Sequence, residues 1–309
     1  MKITNQHNLP QVFVDAVTKD YYVRGTADFT ATELVKPARI SALQKKHEPD
    51  LVEDASDRVW SLSGDSRHVV LQRAGEQNPN RYIVEKRFKA PCPRPNSGVG
   101  YLISGQIDLY DKEDRTLYDW KETSVWKFIL GDTYEWEAQG NVNRYLLQLN
   151  NIEVKAIKFI AILKDWKKRL ARTTDRKDYP QCAVHVVSLP MWPVGQVQDW
   201  INKRAQAHLE ARKEIEEGRE PVLCTRSERW QRDEQFALMK RGRKRAIKLF
   251  SDEDQAKATV NWHTNHGNPG EKFYLEKRPA EPVRCLDFCP VTQFCSFGRE
   301  ALEKWRNAQ

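Results

Sequence analysis

Apolar and polar residues alternate most clearly between 99 and 121, in VGYLISGQIDLYDKEDRTLYDWK. Period two at the C-terminal end of YLISGQIDLY predicts a strand, the charged DKEDR predicts a turn, and TLYDWK reads as the return strand. The rest of the chain orders itself around that hairpin. TADFTATELVKPARISALQKKH (26–47) reads as helix, with Thr30 and Glu33 at capping-box spacing and a break at Pro37. A second helix is expected over 53–75, burying Val59, Trp60, Leu62, Val69, Val70 and Leu71 and allowing a break at Gly64. RYIVEKRF (81–88) reads as a strand that enters the hairpin through a Pro-rich loop, APCPRPNSG (90–98).

Beyond the hairpin, Trp136, Val142, Tyr145, Leu146 and Leu149 recur at helical spacing within 133–150. Two further strands are expected, KAIKFIAILKDW (155–166) and QCAVHVVSLPMW (181–192), with a basic, polar loop between them. A long charged helix follows over 194–218, laced with i,i+4 charge pairs. Helix, strand, strand, strand, helix, strand, strand is the order of an α/β fold with a mixed central sheet flanked by helices. The expected organisation is a helical region over 1–75, a core over 76–218 and a basic helical region over 219–309.

Composition narrows the partners. The 309 residues carry a formal charge of +8 and 30% charged side chains, which favours a polyanion. No apolar run approaches the roughly 18 residues of a membrane span, and MKITNQHNLP lacks the apolar core of a secretory signal. A soluble, cytoplasmic protein without membrane partners is therefore expected. The basic run Lys240, Arg241, Arg243, Lys244, Arg245 and Lys248 reads equally as a solvated face or as a track for a phosphate backbone.

Candidate chemistry sits in the hairpin. Asp119 and Lys121 are two apart in a strand and project together, and pairing around the turn lets Asp108 approach them. Two carboxylates and an ammonium on one sheet face suit a hard divalent cation, Mg²⁺ or Mn²⁺, activating water against a phosphodiester. A surface hairpin with a weak Asp–Lys pair gives the same pattern. The second constellation is at the C-terminus, where Cys285, Cys289 and Cys295 lie within eleven residues. Clustered cysteines in an intracellular chain point to a metal or cluster site, and both Zn²⁺ and [4Fe–4S] require a fourth ligand. Of the remaining three, Cys224 opens the segment that the triplet closes, and it is the expected fourth.

Taken together, these motifs resemble the PD-(D/E)XK nucleases of the RecB-like branch, close to the iron–sulfur nucleases associated with CRISPR adaptation and to phage exonucleases. The resemblance runs from about residue 28 to 298, through GDSRHVVLQ, GQIDLY, YDWKET, WEAQGNVNRY and the cysteine triplet. It implies a restriction-endonuclease-like core with N- and C-terminal elaborations closed by a four-cysteine cluster. It also implies His68, Asp108, Asp119 and the Trp120 carbonyl as metal ligands, Lys121 orienting water or stabilising charge, Gln139 as a positioning group, and [4Fe–4S] at the cysteines. The family's tyrosine four residues after the glutamine is replaced here by Asn143, leaving Tyr145 as the nearby candidate DNA contact beside Lys240, Arg241, Arg243, Lys244 and Arg245.

The expected function is a metal-dependent exonuclease on DNA, single-stranded by preference, in recombination, repair or processing of phage or cellular DNA. Recombination proteins are possible partners, and a phage-encoded copy would act in a bacterial host cell. The alternative is a non-catalytic nucleic-acid-binding or recombination-accessory protein with a structural four-cysteine site.

Overall fold

A computed structural model describes the chain except residues 20–24, 95–96, 132, 269 and 308–309, and except the side chains of 97–99. The fold is mixed α/β, built on a six-stranded central sheet with helices against it. The hairpin forms as its alternation predicts: Ser97–Asp111 and Thr116–Thr123 are antiparallel around a turn at 112–115. Ala156–Leu163 then pairs parallel with the second hairpin strand, and Val184–Leu189 pairs antiparallel with Ala156–Leu163. A parallel neighbour needs a crossover, and the helix Tyr134–Leu149 supplies it.

On its other side Ser97–Asp111 pairs along most of its length with Tyr82–Arg94. That strand runs through most of the stretch expected to be a Pro-rich loop, although Pro95 and Asn96 lie outside the described residues. Pro91 and Pro93 are tolerated because Tyr82–Arg94 is an edge strand, where a missing N–H breaks no second ladder.

One core lies between this sheet and the helices Tyr134–Leu149 and Val194–Glu216, around Ile103, Ile107, Val142, Leu146, Leu147, Val197 and Ile201. The crossover helix comes close because Gly105 faces it; a Cβ there would stand 2.1 Å from Asn143 Oδ1. Tyr145 belongs to this core at 2% exposure, its hydroxyl accepting from Gln198 Nε2 at 3.0 Å, which corrects its expected role at a DNA surface. Ten of the helix's sixteen residues are buried, so the polar face on which a DNA contact would sit is itself covered.

The helix over 53–75 also departs from expectation. It spans Val59–Glu76 without a break at Gly64, preceded by a short strand, Val52–Asp54, and a tight turn over Ala55–Arg58. Val59, Trp60, Val69 and Val70 are exposed rather than buried. The helix meets the sheet through polar side chains instead: Arg67 pairs with Glu122, and His68 reaches Glu85 and Asp108. The polar loop after Ala156–Leu163 contains a short helix, Lys168–Thr173.

The C-terminal region is not basic helix alone. Gln235–Lys240, Lys248–Phe250 and Phe273–Arg278 form a separate antiparallel sheet with the helix Glu253–His266 packed on it. The basic run is the turn of a β-hairpin there, with Gly242 at φ 82° supplying its left-handed position. No helix among the described residues is long and apolar enough to cross a membrane.

Candidate metal centre

The site lies where the hairpin opens. Its ladder runs from Asp111 opposite Thr116 up to Leu109 opposite Tyr118, so Asp108 and Asp119 stand across from each other at the next step. There the strands part: Thr116–Thr123 follows its parallel neighbour, while Phe29–Thr30 takes the freed edge of the first strand only at Ile103 and Ser104. Residues 105–108 are left with no strand partner on that edge among the described residues. The opening leaves backbone off the ladder at the point where two acids converge.

Both acids are nonetheless buried, at 7% exposure for Asp108 and 4% for Asp119. Asp108 Oδ2 accepts from the Trp120 amide at 2.8 Å, which ties the first strand to the second beyond their last ladder pair. Asp119 Oδ1 accepts from Gln139 Nε2 of the crossover helix at 3.3 Å. Its other oxygen lies 2.7 Å from the Lys121 ammonium yet receives no directional hydrogen bond, so that contact is an ion pair only. The arrangement brings together Asp108, Asp119, Lys121, Gln139 and the Trp120 backbone.

His68 arrives from the Val59–Glu76 helix. Its Nδ1 is 3.2 Å from Glu85 Oε1 and 3.7 Å from Asp108 Oδ1. His68, Glu85 and Asp108 can each direct one ligand atom so that all three lie within 4.8 Å of one another. Glu85 is the member that sequence reasoning missed. It lies in Tyr82–Arg94, between the pairs Val84–Leu109 and Lys86–Ile107, hence level with Asp108. Its φ of 45° is left-handed, costly for a residue with a Cβ and a mark of imposed strain. The kink breaks the strand's alternation: Ile83 and Tyr110 pack into the same core as Phe88 and Ile107, which an unbroken period of two would forbid. Glu85 Oε2 also accepts from Gln106 Nε2 at 2.7 Å, so the carboxylate is held from both sides.

Electrostatics follow from burial. Desolvation, reinforced by the charge of Asp119, pushes Asp108 up to about 8. Asp119 is likewise raised by burial, against the pull of Lys121. Burial alone would lower Lys121, but Asp119 and Asp108 outweigh it and hold the ammonium above its ordinary range. His68 is raised chiefly by its hydrogen bond to Glu85. Three carboxylates and an imidazole, with Lys121 as the ammonium paired to Asp119, form a hard oxygen-and-nitrogen donor set that fits Mg²⁺ or Mn²⁺.

A stability measurement reads this strain directly. Asp108 binds its proton more tightly in the fold, at about 8, than in the unfolded chain near 3.9, so the metal-free protein loses stability as pH rises through that interval. Asp108→Asn is expected to flatten the fall of Tm between about pH 5 and 8 in chelator. Parallel Tm–pH curves for variant and parent would show that Asp108 is not strained.

No protein-family model matches the chain, and no curated protein matches it. Among solved structures, one named SSO0001 aligns with 64% of this chain and 84% of its own at 14% identity, with a TM-score of 0.45. A likeness of that strength says nothing of activity.

The four cysteines expected to act together do line one cavity. Cys224, Cys285, Cys289 and Cys295 share it with Arg39, Arg229 and Arg284, beside an apolar cluster of Ile40, Leu43, Leu51 and Val291. Burial pushes the Cys224 thiol up to about 12 and the Cys285 thiol up to about 11. Arg39 Nε donates to Cys295 Sγ at 3.3 Å. Arg229 Nε and Arg284 Nη1 are buried without a hydrogen-bond partner, so the cavity has unspent positive donors around its thiols. Cys92 is buried in the main core, and Cys182 is exposed and bonded locally to Val184.

Proposed function

We propose that this protein is a divalent-metal-dependent DNA exonuclease of the PD-(D/E)XK class. The observation that carries the reading is the convergence of His68, Glu85 and Asp108 beside the Asp119–Lys121 pair where the central hairpin opens. His68, Asp108 and Asp119 would hold the ion, with the Trp120 carbonyl and Glu85 close by. Bound Mg²⁺ or Mn²⁺ would supply Lewis acidity toward a phosphate oxygen and lower the pKa of water.

The protein's own groups have distinct tasks. Lys121 stays cationic at neutral pH between its acids, so it serves as a fixed positive charge toward the scissile phosphate rather than as a base. Gln139 fixes Asp119 from the crossover helix, which leaves the opposite oxygen for cation and lysine. Glu85 holds the His68 ring through Nδ1, the same nitrogen that lies 3.7 Å from Asp108 Oδ1.

The cysteine cavity is read as a structural [4Fe–4S] site. Four thiols and unsatisfied arginine donors suit an anionic thiolate cluster. No three of these thiols lie within 4.8 Å of one another, a spacing looser than single Zn²⁺ at about 2.3 Å from each sulfur requires. The cluster would brace the 219–309 region and play no part in hydrolysis.

The deciding experiment is a time course on 5′- and 3′-end-labelled single- and double-stranded DNA with Mg²⁺, Mn²⁺ or chelator. Metal-dependent shortening from an end is expected, faster on single strands. Intact substrate in both metals, with purified protein that binds the ion, would overturn the reading.

A further inference from the structure

The module spanning 235–278 has a core of its own and no part in the metal centre. Phe236, Leu238, Phe250 and Ala256 pack with Val260, Phe273 and Leu275 between its sheet and its helix. It is inserted between Cys224 and Cys285, and its neck closes through the short ladder of Gln231–Arg232 with Glu281–Pro282. It holds ten Lys and Arg against five Asp and Glu, a net +5 of the chain's +8.

Its charge and its aromatics meet at one end. The turn between the first two strands carries Arg241, Arg243, Lys244 and Arg245, all exposed. Lys240, which leads into that turn, pairs across the sheet with Phe273, and Arg241 N donates to Lys272 O at 2.9 Å. Phe273 contacts the His263 ring at 5.0 Å, and His263 stands edge-on to Trp262 at 5.0 Å. Trp262 in turn stacks on His266 at 5.1 Å and 16° between planes. An indole stacked on one imidazole, met edge-on by another and still 56% exposed does little for the fold.

We infer that this end of the module is a grip for single-stranded DNA, in which a base stacks on Trp262 while the 241–245 turn follows the flanking phosphates. Unpaired bases offer the π-face that an exposed indole needs, whereas a duplex hides its faces in the stack. Glu271 neutralises Lys240 at the entrance to the turn at 2.5 Å, but no Asp or Glu falls between 240 and 248 in the chain, so the cationic path begins at Arg241. The inference deepens the nuclease reading, resting on DNA as the partner but not on the residues that cut it.

The test uses the full chain carrying Asp119→Ala, so that labelled DNA survives, and follows anisotropy of a 30-mer single strand and a blunt duplex. Adding Trp262→Ala is expected to weaken single-strand binding about 5- to 100-fold and leave the duplex within about twofold, while Trp262→Phe stays within about threefold of the parent. Neutralising Arg241, Arg243, Lys244 and Arg245 together is expected to lower the slope of log K against log salt by about 3. Unchanged single-strand affinity in Trp262→Ala, or equal losses on strand and duplex, would overturn the grip. Cleavage by the chain with Asp119 intact is read separately, so a failed nuclease reading shows as absent metal-dependent shortening whether or not Trp262→Ala weakens single-strand binding.

Discussion

Alanine in place of Lys121 is expected to slow phosphodiester cleavage by about 10²- to 10³-fold, the range found when one preorganised electrostatic donor is removed from a reaction centre. The ammonium sits 2.7 Å from Asp119 and stays charged because two buried acids flank it. In the proposed reaction a group so placed would oppose the negative charge that grows on phosphate, and no neutral side chain replaces that. Lys121→Arg should recover only part of the rate, because the guanidinium keeps the charge but not its shape. Asp119→Ala is expected to be more severe, since on the proposed reading it removes both an ion ligand and the partner that lies 2.7 Å from Lys121. Rates from single-turnover digestion under saturating Mn²⁺ decide the matter, provided the variants bind DNA as the parent does. A variant within threefold of the parent would remove Lys121 from the chemistry.

The second large effect is expected at the cysteines. Cys289→Ser should strip the protein of iron and visible absorbance and lower Tm by on the order of 10 °C. The reason is mechanical. The cavity joins Ile40 and Leu43 near the N-terminus, Ile215 at the end of the long helix, and the C-terminal segment around Val291 and Phe297. Arg39 adds a buried link to the Glu220 carboxylate and to Cys295. Without the proposed cluster, four thiols, Cys295 buried and the other three half-buried, and the arginines around them lose their common partner. Limited proteolysis should then cut first at the two necks of the 235–278 module. Lys121→Ala, by contrast, should keep full iron and the parental Tm. Loss of iron without loss of stability would mean that the cavity does not hold the fold together.

How far the sequence reaches is clearest residue by residue. Asp108, Asp119 and Lys121 were legible because strand period and turn chemistry are local, and both strands formed where alternation placed them. The Thr30 cap was legible for the same reason; its hydroxyl accepts from the Glu33 amide at 3.1 Å. The crossover helix was visible from its spacing, but its burial was not: a helix covered on most sides shows the same 3.6 period as one half in water. Tyr145 was misplaced on that account. In the Val59–Glu76 helix the apolar residues suggested the buried side, yet the sheet takes Arg67 and His68 because buried carboxylates await them. No composition rule ranks a distant acid above a neighbouring valine.

Glu85 shows the limit most plainly. Nothing within YIVEKRF distinguishes it from any strand-edge charge, because its importance comes from lying level with Asp108 and from a left-handed kink. Likewise the run at 240–245 showed its charge but not its turn, lying in a region that reads as helical, and the neighbouring Trp262 stack depends on helix and strand meeting at Phe273. By itself, then, the sequence determined the central elements and the local chemistry they carry: hairpin, acids, lysine, clustered thiols and a basic run. Only the tertiary structure decided which of these meet, and at what depth. Register and helix docking are settled by the burial of the whole chain together, and a few ångströms there separate a surface ion pair from a buried donor set.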